Sequence, residues 1–87
     1  MRQNYDILLN HPIEGVGRPI SSMTFRPPTI GDVEIAQRET SDLGQVIKLA
    51  ALTAQNASEQ DIRQMAPEDF YLLQEQIENF LLPAPKT

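Results

Sequence analysis

The chain has 87 residues, no Cys, one His and a formal net charge of -5. One domain is the ceiling at this length, and without Cys there is no disulfide framework, no thiolate zinc site and no thiol nucleophile. The acidic balance argues against a nucleic-acid binder, which needs clustered Lys and Arg for counterion release, and against a polybasic membrane-surface segment.

Met1 to Asp6 has no apolar core of the ~7–15 residues that a signal peptide needs. The uncharged stretch from Leu49 to Ser58 is shorter than the ~20 residues that span a bilayer. These features predict a soluble, intracellular protein with no membrane partner.

The first third reads as β. Tyr5, Ile7 and Leu9 alternate with Asp6, Leu8 and Asn10, a period of two. Ile20 to Arg26 is the second candidate strand, with Ser21, Met23 and Phe25 on one face and Ile20, Ser22, Thr24 and Arg26 on the other. Two Gly and two Pro between Pro12 and Pro19 mark a connection with a long or bulged turn. A hairpin of this kind is marginal alone, so the helices that follow must cover it.

Pro27-Pro28 ends the second strand, because Pro supplies no ladder donor. Thr29 and Asp32 have capping-box spacing and predict a short helix to about Glu39. Ser41-Asp42 opens a helix to about Gln55, with Asn56 suited to a left-handed stop. Ser58 caps a short helix ending near Met65. Pro67 fits the first position of a last helix, with Glu68 and Asp69 at its positive end. That helix is expected to reach Leu81 and stop at Pro83. The predicted class is α+β: an N-terminal two-stranded antiparallel hairpin packed on three or four short α-helices. Residues 1–82 form one domain in this reading, and 83–87 are a flexible Pro-spaced tail.

The helical wheels separate core from surplus. Phe70, Leu73, Ile77, Phe80 and Leu81 form the core stripe of the last helix. Leu43, Val46, Ile47, Ala50 and Ala54 form the main face of the helix from Asp42. Leu49 and Leu52 fall on the opposite flank, and Tyr71, Leu72 and Leu82 on the polar side of the last helix. One explanation is a central helix covered on two sides. The other is a partner surface, since exposed apolar patches mark interaction sites. Leu49, Leu52, Tyr71, Leu72 and Leu82 are therefore the candidate partner-binding residues.

No catalytic, cofactor or metal site is expected. His11 precedes Pro12 with no nucleophile motif nearby, so it reads as a surface loop residue. Glu75 and Glu78 lack the Glu-x-x-His partner of a di-metal bundle. Gly15-Val16-Gly17 lacks the third Gly and the following helix of a phosphate loop. Arg26 either anchors a carboxylate or pairs locally.

The order of features resembles a family. Pro12-Ile13, Gly17 and Ile20 lead into Met23-Thr24-Phe25-Arg26-Pro27-Pro28-Thr29 and on to Asp32. A mid-chain amphipathic helix and Ser58 follow, and Ala66-Pro67-Glu68-Asp69-Phe70 opens a helix ending in Phe80-Leu81. Over about residues 7 to 82 this is similar to the tail assembly chaperones of Mu-like and related contractile-tailed phages and prophages. Met23 and Phe25 stand where Leu is usual there, Pro27 where Arg is common, and Ala66 where Asp often precedes the Pro.

The resemblance implies a non-enzymatic protein without cofactor or small-molecule substrate. It would bind the tail tape-measure protein, keep it soluble and promote tube assembly around it. It would act in the cytoplasm of the bacterial host and be absent from the mature virion. Further implied partners are the tail tube protein and a frameshift-extended form of the chain itself, and self-association into a homo-oligomer is open. The competing reading is a small DNA-binding regulator or antitoxin with a helix-turn-helix, although its recognition segment, Ser58 to Met65, contains only Arg63 as a base.

Overall fold

The computed structural model describes residues 3–15 and 18–79. A two-stranded antiparallel hairpin, β1 (Tyr5–Gly15) and β2 (Arg18–Phe25), is followed by four helices: α1 (Ile30–Ala36), α2 (Asp42–Thr53), α3 (Glu59–Arg63) and α4 (Pro67–Glu78). The predicted α+β class and element order hold. Phe80, Leu81, Leu82 and the expected tail lie outside the described residues.

The hairpin is longer than its Gly and Pro content implies. Residues read as a connection are paired strand, with Ile13 opposite Ile20, Glu14 opposite Pro19 and Gly15 opposite Arg18. Pro19 stands near the start of β2, and Pro12 lies in a register break between Leu8 and Ile13. Neither place requires a ladder donor. Across that break four residues of β1 oppose the single residue Ser21. This bulge resets which side chains face inward. Ile7, Leu9 and Ile13 of β1 and Ile20, Met23 and Phe25 of β2 all enter the core. Ile20 therefore shares a face with Met23 and Phe25, against the simple alternation expected for this strand. Gly15 packs close beside it: a Cβ there would sit 2.6 Å from Ile20 Cδ1, and that side chain would have to shift. Tyr5 stacks on Phe25 with ring centroids 5.4 Å apart, and burial pushes its phenol up to about 12.

The helix starts follow the local signals. Thr29 and Ser58 each form a full capping box, with Asp32 and Asp61, and Ser41 caps α2 through the Gly44 amide. Pro67 opens α4, where Ala66 offers no capping side chain. The helix ends are earlier than expected. α1 stops at Ala36 and α2 at Thr53, with Ala54 already extended. Asn56 also has a different part from the one expected. Its side chain accepts from the Thr24 amide at 3.0 Å and donates to the Ser22 carbonyl at 2.9 Å. Nearby, the Gln55 amide donates to Thr24 O at 2.7 Å and the Arg26 amide to Thr53 O at 3.0 Å. The chain leaving α2 thus covers the outer edge of β2 and satisfies backbone groups that an edge strand leaves open.

A second clasp joins strand to helix. Arg26 donates through both terminal nitrogens to Asp32, at 2.7 and 3.2 Å, and also to the carbonyls of Pro27 and Leu52. The Leu52 carbonyl belongs to the last turn of α2, whose C-terminal carbonyls need donors. One guanidinium therefore ties the end of β2, the start of α1 and the end of α2. Its hydrogen bonds, with those from Thr29, hold the Asp32 carboxyl down at about 2.

That shift sets a pH dependence. An unfolded Asp titrates near ~3.9, so between that value and about 2 the unfolded chain binds a proton that the folded chain does not. The clasp is fully present above pH ~4 and is lost as pH falls through the folded value. Arg26→Gln is expected to lower stability by roughly 2 kcal/mol near neutrality. In urea titrations the gap between wild type and variant should narrow steadily as pH drops toward 2. A gap independent of pH would contradict the clasp.

Candidate partner-binding site

α2 lies between the other helices and contacts α1, α3 and α4. Val46, Ile47, Leu49, Ala50 and Thr53 are buried on it. Leu49 is 0% exposed. Its proposed place on an exposed partner face is therefore corrected: α2 is covered on both flanks, and the side chain is core. Leu52 is half-buried on the same helix.

The orientation of α4 is set by a group that hydrophobicity does not count as inward. Asp69 is 0% exposed, and its two carboxylate oxygens accept from the Asn10 and His11 amides, each at 2.9 Å. Those amides belong to the bulged part of β1. Beside them the exposed His11 ring nitrogen lies 3.1 Å from Glu68. Asp69, Leu73 and Ile77 are the buried residues of α4. Relative to the expected stripe the helix is rotated toward Asp69. Phe70 is carried to the flank, where it is half-buried against the core rather than within it.

That rotation opens a groove. Leu43 and Ile47 of α2 form one wall, Ile62 and Arg63 of α3 the floor and far side, and Met65, Pro67, Phe70 and Tyr71 the other wall. The hollow has a volume of about 350 Å³ and is open to solvent. Leu43 is 56% exposed and Tyr71 62%. Leu72, 46% exposed, continues the apolar surface around α4. Leu43 was expected in the core. It lies in the first turn of α2, and α3 is only 5 residues long. Its wheel position is inward, but no element among the described residues covers that end of α2.

Arg63, which lines the groove, is already engaged. Glu59 accepts from Lys48 at 3.1 Å and from Arg63 at 3.2 Å, and these contacts hold its carboxyl below the usual range. Arg63, the base of the segment considered for DNA recognition, is thus already paired. Among the described residues no group of His, Cys, Asp and Glu is arranged to hold a metal ion. No described helix is long and apolar enough to cross a membrane.

The candidate residues accordingly divide. Tyr71 lines the groove, Leu72 adjoins it by exposure, Leu52 is half-buried, Leu49 is core, and Leu82 lies outside the described residues. Leu43 and Phe70 were expected in the core but line the groove, with Met65 and Pro67 beside them. The sequence signal was the five-residue α3, too short to cap both neighbours.

No curated protein and no solved structure matches the chain. The family model described as phage tail assembly chaperone proteins, E, or 41 or 14, matches residues 6–82. Its span takes in both clasps, Arg26–Asp32 and Asp69 with the bulge amides, together with every residue lining the groove. The chain belongs to the phage tail assembly chaperone family.

Proposed function

We propose that this chaperone binds the tail tape-measure protein through the groove between α2, α3 and α4, holds it soluble and promotes assembly of the tube around it. The observation that carries this is the open apolar groove on a member of a tail assembly chaperone family. A long helical partner exposes apolar stripes until it is enclosed, and an apolar helix face fits a groove of this kind. The action is non-enzymatic and belongs to the host cytoplasm during assembly of a contractile tail, before the mature virion. Many copies along one strand would hold it by avidity, so each contact can be weak and reversible. Contact with the tube protein, with an extended form of the chain and with further copies of itself belongs to the same proposal.

The test is co-expression with the neighbouring tape-measure protein. Wild type is expected to raise the soluble tape-measure fraction several-fold and to co-purify with it. Tyr71→Asp should remove most of that gain, because it places a charge in the groove. Its circular dichroism and unfolding midpoint should stay close to wild type, since Tyr71 is 62% exposed. No gain with wild type would sink the chaperone role toward this partner. An undiminished gain with Tyr71→Asp would move the binding surface elsewhere.

A further inference from the structure

The two sides of the groove differ in charge. From Pro67 to Asn79 the chain has four carboxylates and no Lys, Arg or His. Asp69 is buried on the bulge amides. Glu68, Glu75 and Glu78 are exposed. They stand three residues before Tyr71 and four and seven after it, a spacing that places them on the same side of the helix. Asp42 adds a carboxylate beside Leu43 at the opening turn of α2. Across the groove, Arg63 of α3 is engaged by Glu59, which also holds Lys48 of α2.

We propose that the groove takes an amphipathic helix whose apolar stripe is flanked by Lys and Arg on the side that meets α4. This rests on the groove being the partner-binding surface and adds the chemistry of the segment bound there. α4 has 12 residues and is roughly 18 Å long, which matches about three turns of a partner helix. The stripe fills the apolar hollow, and the cations meet the Glu68, Glu75 and Glu78 row. Exposed charge pairs of this kind add little affinity each. They select the partner and its orientation, speed encounter and weaken with salt. A neutral or acidic apolar helix would gain the same burial without that selection. The same carboxylates repel a second copy of this acidic chain, which favours a basic partner over self-association at this face.

Three synthetic helical peptides of about 20 residues, with one shared Leu/Phe stripe and Lys, Gln or Glu along one flank, test this against the full-length protein. Fluorescence anisotropy is read at about 50 mM and about 500 mM NaCl. The Lys-flanked peptide is expected to bind roughly tenfold tighter than the Gln-flanked one at low salt, with the Glu-flanked peptide weakest. High salt should compress the ranking. The combined variant Glu68→Gln, Glu75→Gln, Glu78→Gln should erase it and leave the Gln-flanked affinity unchanged. The pair Glu75→Gln, Glu78→Gln, which leaves the Glu68 contact with His11 in place, should erase most of it. Equal affinities, a ranking that survives these variants, or no binding by any peptide overturns the proposal. None of those results touches the groove's part in tape-measure solubility, which the Tyr71→Asp co-expression decides separately.

Discussion

Asp69→Ala is expected to lower stability by about 3–5 kcal/mol, a large share of the ~5–10 kcal/mol available to a domain of this size. Two charge-assisted hydrogen bonds disappear together, those to the Asn10 and His11 amides. Each such bond is worth ~1.5–3 kcal/mol. The amides left behind belong to the bulged part of β1, where the ladder to β2 is interrupted, so they have no strand partner to return to. The carboxylate site is 0% exposed, so water does not replace the lost acceptor without opening the contact. Asp69→Asn separates charge from shape. Its amide oxygen can still accept, but its NH2 group faces the second amide, and a loss of about 2 kcal/mol is expected. Urea denaturation measures both, and hydrogen exchange should speed selectively at Asn10 and His11. A loss under ~1 kcal/mol for Asp69→Ala would mean that α4 is held by apolar packing alone.

Features with a local cause were legible in the sequence. The Thr29 and Ser58 capping boxes, the Ser41 cap and Pro67 at the head of α4 each depend on side chains within a few positions of the backbone they satisfy. The inward face of Ile7 and Leu9 follows from strand alternation for the same reason. What was not legible depends on distant contacts. The bulge at Asn10 and His11 is stabilised from Asp69, more than fifty residues away. Nothing near β1 announces it. Ile20 turns inward because of that bulge. Asn56 has the composition of a helix stop, and only the position of β2 reveals that it pairs with Ser22 and Thr24 instead.

The groove was half legible for a related reason. A helical wheel gives the direction of a side chain but not its depth along the axis. Leu43 and Ile47 point the same way on α2, yet one is exposed and one buried, because covering helices reach only Ile47. Tyr71 was correctly separated from the core stripe, while Phe70 was placed inside it because an apolar wheel does not count the buried Asp69 as inward.

The residues that carry the family resemblance have a physical assignment. Arg26, Thr29 and Asp32 form one clasp, and Pro67 and Asp69 start and orient α4. These five act inside the fold, and of them only Pro67 lines the groove, beside Phe70 of the same motif. A resemblance in these positions therefore reports the scaffold. The groove proposed as the partner surface is walled by other, apolar residues, with Leu43 and Tyr71 exposed at its opening and Ile62 and Met65 buried beneath.

Leu49→Ala is the second change with a large expected effect, about 3–5 kcal/mol. Leu49 is 0% exposed on the helix that contacts all three others, and its carbonyl accepts the buried Thr53 hydroxyl at 2.9 Å. Truncation leaves a cavity in the buried core, and the hydrogen bond of the next turn restrains α2 from collapsing into it. The cost is thus the lost transfer energy plus the unfilled space. Leu72→Asp is the control, with a change within ~0.5 kcal/mol because its side chain adjoins solvent. Phe70→Ala should fall between, near 2 kcal/mol, since its ring is only half-buried. The order Leu49, Phe70, Leu72 in urea midpoints tests the rotation of α4 and the central position of α2 together. If Phe70→Ala cost as much as Leu49→Ala, Phe70 would belong to the core, and the groove would be closed on the side where Tyr71 is proposed to meet its partner.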